Sequence, residues 1–210
     1  MDYTLLADGP SDIVLMGPIG WLLKRHGISE FNGRFADPFA LPKLSEGLTE
    51  RAVAAIAEYP CQVLFVHRDA EGIPFKDRWQ EIDHALQSIG KAPSKVFVVP
   101  VRMTEAWFLF DEQAIRRASN NPNGKESLEL PGTAQFETVL SPKDKLSEAI
   151  KLGSGLTGRR LDHFQRGLAQ ARRRVADYIT DYTPLLSLPS FSALDNEIKH
   201  LADQVENKRT

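Results

Sequence analysis

Apolar residues in this chain follow two rhythms. Short unbroken runs, Leu5-Leu6-Ala7, Val63-Leu64-Phe65-Val66 and Val96-Phe97-Val98-Val99, alternate with longer stretches in which apolar positions recur at helical spacing. The runs predict strands at residues 3–7, 62–67 and 95–101, buried on both faces. A first helix is expected from Ser11, placed to cap it, through Ile13, Val14, Trp21 and Leu22 toward Arg25, with Gly17, Pro18 and Gly20 shortening or kinking it. Residues 31–42 are rich in Gly, Pro and Asn without a period and read as a loop, with a short strand as the alternative. Residues 46–59 predict a helix with Leu48, Ala52, Val53, Ile56 and Ala57 on one face and Pro60 as its stop, and residues 77–89 predict another. This β-α-β-α-β alternation with short connections implies an α/β fold, a mainly parallel sheet flanked by helices.

Beyond Asp111 the pattern changes. Ser119-Asn-Asn-Pro-Asn-Gly is a turn-rich break, and residues 126–138 carry no strong signal. Ser141-Pro142-Lys143-Asp144 reads as a helix start, with a capping hydroxyl, a proline in the first turn and an acid near the positive dipole end. Helices are expected over 142–151, 160–178 and 192–207, the last opened by Ser192 and Asp195 as a capping box. The expected organisation is an α/β core over residues 1–118 and a helical C-terminal region over 119–210 packed on it.

Composition narrows the function classes. At 210 residues, 42% hydrophobic and 26% charged, the chain buries an ordinary core. A net charge of −2 excludes a wholly basic nucleic-acid coat but leaves room for a local basic patch. Its one cysteine, Cys61, permits no internal disulfide, fits a reducing cytosol and reads as a small buried hydrophobe. The start Met-Asp-Tyr-Thr lacks the basic and apolar regions of a signal peptide, and no run approaches the roughly 18 apolar residues of a membrane helix. A soluble, cytoplasmic protein without a membrane partner is the expectation.

The chemistry lies where the apolar runs end. The first runs into Asp8-Gly9-Pro10-Ser11-Asp12, where Gly9 is expected to let the chain turn and Asp12, four residues on, to face the same point as Asp8. The second runs into His67-Arg68-Asp69-Ala70-Glu71, in which Asp69 and Glu71, one residue apart, are expected to point the same way. The third leads to Arg102 and Thr104-Glu105, with Arg102 a candidate phosphate holder and Glu105 a candidate ligand or orienting group. Parallel strands bring these ends to one sheet edge, and five acids gathered there repel unless a divalent cation lies among them. His67 reads as a packed or hydrogen-bonded histidine, because Mg²⁺ prefers oxygen. Each acid also has a plain reading, as a charge at a helix N-terminus or in a surface turn.

A basic series, Arg159, Arg160, Arg166, Arg172, Arg173 and Arg174, follows in the C-terminal region. On one helix Arg159, Arg166 and Arg173 form a stripe able to follow phosphates, or simply a solvated face. No P-loop, dinucleotide glycine fingerprint, Cys/His zinc spacing or nucleophile elbow is present, which disfavours an NTPase, a dehydrogenase and a serine hydrolase.

At these residues the chain resembles a Toprim domain, the metal-binding fold of topoisomerases, DnaG-type primases and the nuclease half of OLD-family proteins. Asp8 within Ala-Asp-Gly-Pro-Ser-Asp matches the acid after the first Toprim strand, and Asp69-Ala70-Glu71 matches the later Asp-x-Asp pair. Asp8 stands for the usual Glu and Glu71 for the usual second Asp. A closer resemblance is to a family of small bacterial Toprim-like proteins encoded near ATPases in mobile or phage-defence loci. It is carried by Glu105-Ala-Trp107-Phe-Leu-Phe-Asp111, Ser141-Pro-Lys-Asp-Lys-Leu and Leu188-Pro-Ser-Phe. The resemblance implies a Mg²⁺- or Mn²⁺-dependent nuclease acting on nucleic acid, with DNA the first expectation and an ATPase as partner. In that reading Asp8, Asp69 and Glu71 are catalytic and ligate metal, Asp12 and Glu105 complete the shell, and Arg102, Arg166 and Arg173 bind substrate. The exchanges at Asp8 and Glu71 motivate a rival, a non-catalytic Toprim-like subunit that binds an ATPase or nucleic acid. A third reading is phosphoryl transfer on a small molecule. Oligomeric state is open.

Overall fold

The computed structural model describes residues 1–90 and 92–207. Lys91, in the expected Gly-Lys-Ala-Pro turn, lies outside the described residues. The chain is an α/β protein whose four described strands form one parallel sheet flanked by helices, followed by a helical region. It divides into two compact units, residues 1–100 with 189–210 and residues 101–188. The units part at 100/101 and 188/189, and the last helix belongs with the sheet unit.

In the first unit the elements are β1 (Asp2–Leu6), α1 (Met16–Arg25), β2 (Asn32–Phe35), α2 (Leu48–Glu58), β3 (Val63–His67), α3 (Phe75–Gln87) and β4 (Ser94–Val98). The sheet order is β2-β1-β3-β4. Tyr3 pairs in register with Gly33 on one side and Val63 on the other, and Phe65 pairs with Val96. All five residues of β3 are buried, as an unbroken apolar run requires when both sheet faces are covered. Leu6, Leu64, Val66 and Phe97 pack with Ala52 and Ala55 of α2 and with Ile82 and Leu86 of α3. On the opposite face Tyr3 meets Phe65 edge-on at 5.1 Å, and its hydroxyl lies 3.7 Å from Met16 Sδ of α1. Each fully buried Leu, Val or Phe contributes about 1.5–3 kcal/mol.

Residues 32–35 form an edge strand, the short strand allowed for within the expected loop. Several other local expectations change. The buried side of α2 is Leu48, Arg51, Ala52 and Ala55, and Val53 is 50% exposed. Gly9 is extended (φ −143°), a conformation open to any residue. The chain instead enters a 3-10 helix, Pro10–Leu15, and Ser11 makes no cap. Cys61 is half-buried against the core.

The second unit is helical: α4 (Glu112–Ala118), α5 (Pro142–Ser154), α6 (Gly158–Gln165) and α7 (Leu168–Tyr178), with 3-10 helices at Thr104–Phe108, Thr133–Thr138 and Thr183–Ser187. Its core holds Trp107, Ile115, Phe136, Ile150, Val175 and Leu185. Ser141 Oγ bonds the Asp144 carboxylate at 2.6 Å and does not cap α5 through the backbone. The expected helix 160–178 is broken at Arg166–Gly167.

The chain then returns to the first unit as α8 (Pro189–Asn207). Because α8 starts three residues before Ser192, the expected capping box is inside the helix. Asp195 instead lies 2.7 Å from His26 Nε2 and 3.6 Å from Arg25 Nε, at the end of α1. Ile198 and Leu201 are buried in this unit, and the Glu197 carboxylate accepts a hydrogen bond from the Phe97 backbone on the outer edge of β4. A helix over that edge removes an open template for strand pairing.

Candidate functional site

Sheet order locates the place for a site. β1 lies between β2 and β3, reached through α1 on one face and α2 on the other, so the sheet reverses direction at β1 and β3. Crevices at such a switch point open at the C-terminal strand ends. Asp8 follows β1 by two residues, and His67 ends β3 with Arg68 and Asp69 immediately after.

The end of β1 is held from beneath by Arg51 of α2, whose side chain is 3% exposed. Its Nη2 donates to Ala7 O at 2.9 Å and its Nη1 to Pro42 O at 2.6 Å. Asp12 turns back in the 3-10 helix so that its Oδ2 accepts from the Gly9 N–H at 2.8 Å. The end of β3 is held by His67, which is 1% exposed. Its Nδ1 lies 3.0 Å from Val98 O, and since a carbonyl only accepts, Nδ1 carries the hydrogen. Nε2 then faces the acids, 3.7 Å from Asp69 Oδ1 and 3.8 Å from Asp12 Oδ2. Asp8 lies within electrostatic reach of His67, Arg68 and Asp12. Burial pushes the Asp8 carboxyl above the usual carboxylate range, Arg68 and His67 oppose the rise, and Asp12 adds to it.

The structure thus gathers Asp8, Asp12 and Asp69 around His67, and separates Glu71 from them. Glu71 adopts the left-handed conformation (φ 52°), its side chain is 72% exposed, and its nearest cation is Arg78 Nη2 at 3.8 Å. Asp69 faces His67 Nε2, whereas Glu71 faces Arg78. The guanidiniums are what sequence reasoning missed. Arg68 Nε donates to Asp8 Oδ2 at 3.4 Å, and its Nη1 pairs with Glu81. Arg78, nearly buried, donates to the second Glu81 oxygen at 2.6 Å. Acid and base alternate from Asp8 through Arg68, Glu81 and Arg78 to Glu71. The Arg78–Glu81 spacing was a readable helical signal.

In kind, three carboxylates suit a hard divalent cation. In arrangement, no group of three or more His, Cys, Asp or Glu among the described residues is set to hold a metal ion. Asp8 and Asp12 direct oxygens at Arg68 and the Gly9 N–H instead.

The remaining candidates belong to the second unit. Arg102 is half-buried with φ 63°, a strained conformation for a side chain of its size. Glu105 sits in the 3-10 helix Thr104–Phe108. Trp107 is wholly buried, and Asp111 caps α4 by accepting from Ala114 N at 2.8 Å, so both residues of the Trp segment have structural duties. Arg166 and Arg173 are exposed; Arg166 caps the end of α6, which carries Arg159, whereas Arg173 lies beyond the break in α7. Arg172 and Arg174 are tied to Ser147 Oγ and Ala118 O. No described helix is long and apolar enough to cross a membrane. No family model, curated protein or solved structure matches the chain.

Proposed function

We propose that the strand-end acids serve a Mg²⁺- or Mn²⁺-dependent nuclease of Toprim-like type, hydrolysing phosphodiesters of nucleic acid, DNA first, as the cytoplasmic effector of a bacterial defence system with an ATPase partner. The observation that carries the chemistry is the convergence of Asp12 and Asp69 on His67, with Asp8 beside them, at the switch point of a parallel sheet. Asp8, Asp12 and Asp69 would hold the cation, which would polarise the scissile phosphate and lower the pKa of an attacking water. Asp8, desolvated and raised in pKa, suits a proton-transfer role. His67 is fixed through Val98 O, and its Nε2 lies between Asp12 and Asp69 at 3.8 and 3.7 Å. Arg68, which holds Asp8, would be released to the substrate phosphate when a cation takes its place. Glu71, also an expected ligand, pairs with Arg78 Nη2 at 3.8 Å.

The test is cleavage of plasmid and single-stranded DNA with Mg²⁺ or Mn²⁺, alongside Asp69→Ala. Metal-dependent cutting lost in the variant supports the reading, and cutting that survives both EDTA and the substitution overturns it. The Arg68–Asp8 contact favours a second reading, a non-catalytic subunit in which a guanidinium has taken the cation's place. Calorimetric titration with Mg²⁺ separates the two. Millimolar-range binding abolished by Asp69→Asn supports the enzyme, and absence of binding supports the subunit.

A further inference from the structure

In the helical unit a cavity of about 380 Å³ opens where α6 meets α7. Asn120, His163, Phe164, Arg166, Gln170 and Arg174 line it, and no carboxylate does. Two guanidiniums, an imidazole and two amides around one hollow form a donor-rich wall, and arginine's planar fork suits phosphate in particular.

Three features make this more than a charged surface. Arg174 is anchored, its Nη2 donating to Ala118 O at 3.1 Å, so the guanidinium is held at the cavity wall. α7 begins here: Gly167, its N-cap, and Gln170 in its first turn both line the cavity, and no side chain caps the helix. The first-turn N–H groups of α7 therefore lie beside the basic residues and can donate to an anion, while the dipoles of α6, which ends here, and α7, which begins here, offset each other. Phe164 is half-buried and supplies an apolar surface to the same cavity. The volume falls within the range of about 300–1,000 Å³ typical of small-molecule sites.

We infer that this cavity binds a nucleotide, its phosphate on Arg166, Arg174 and the start of α7 and its base against Phe164. The same unit of phosphate, sugar and base comes either as a free mononucleotide or as the phosphorylated end of a strand. The inference is independent of the acidic cluster of the sheet unit.

The experiment is calorimetric titration of the full chain with thymidine, thymidine monophosphate and tetrathymidylate with and without a 5′-phosphate. Phosphorylated probes are expected to bind and thymidine is not. Arg166→Ala, at an exposed position, should weaken binding about tenfold, as loss of a charged hydrogen bond does, and Arg166→Glu should abolish it. Lys143→Ala, exposed and outside the cavity lining, should change little. Equal binding of the monophosphate and the phosphorylated tetramer supports a free-nucleotide site, and a clear preference for the tetramer supports a strand end. Asp69→Asn should leave every affinity unchanged, so failure of the metal reading does not touch this one. The inference is overturned if no phosphorylated probe binds at millimolar concentration. It is equally overturned if phosphate adds nothing over thymidine, or if Lys143→Ala weakens binding as much as Arg166→Ala.

Discussion

Asp8 is charged at a cost. Its carboxyl, raised above the usual value of 3.8 chiefly by desolvation, binds its proton more tightly in the folded protein than in the unfolded chain. Between the ordinary and the raised pKa the folded state therefore holds more protons, and stability falls as pH rises through that window. Below the window the penalty is absent, and above it the penalty is complete. Asp8→Asn should accordingly raise Tm at neutral pH, and the gain should fade as pH is lowered through the carboxylate range; thermal melts across pH check this. Arg68 does not reverse the sign, because its attraction is already part of the net upward shift. A lower Tm for the variant at neutral pH would mean that the Arg68 contact outweighs the desolvation.

Among the elements, β2 depends on one glycine. A Cβ at Gly33 would stand 2.4 Å from Tyr3 Cζ and 2.7 Å from Met16 Cε, so the edge strand accepts the Tyr3 ring only where a side chain is missing. Gly33→Ala should destabilise the fold by about 1–3 kcal/mol, as overpacking does, measurable by urea unfolding. That glycine also shows where sequence reading stops. β1, β3 and β4 were legible because burial on both faces demands unbroken apolar runs. Asn32-Gly33-Arg34-Phe35 carries no such run, since an edge strand is defined by backbone pairing and by what its neighbour places over it. Val53 and Arg51 changed places for a related reason: helical period marks a face, but two carbonyls needing donors drew an arginine inward. In the site, Asp8, Asp12 and Asp69 were legible from their place at strand ends. Arg68 was not, because its bond to Asp8 and its pairing with Glu81 depend on where α3 packs.

For the whole molecule, the division into units makes the sheet depend on a distant helix. Phe191, Leu194, Ile198 and Leu201 of α8 are buried in the first unit, each contributing about 1.5–3 kcal/mol. Together they rival the 5–15 kcal/mol that typically separates folded from unfolded domains. A chain truncated before Pro189 should therefore lose cooperative unfolding of the sheet unit. By hydrogen exchange, the amides of β4 should lose protection while those of α4, α5 and α7 keep theirs. Uniform retention of β4 protection would show that the sheet stands without its helix.

The same return of the chain has a consequence during translation. A ribosome completes β4 long before it makes α8, with all of Val101–Leu188 synthesised in between. Throughout that interval the Phe97 edge emerges with no Glu197 to receive its N–H, and neighbouring nascent chains on a polysome present the same bare strand to one another. Since domains form in the order they are made, the helical unit is free to fold while the sheet still waits for its cover. Closing so long a loop adds little equilibrium cost, because loop entropy grows only with the logarithm of length. The penalty falls on time, as a vulnerable period in which a chaperone holding the β4 edge would raise the yield of native protein without altering its final stability.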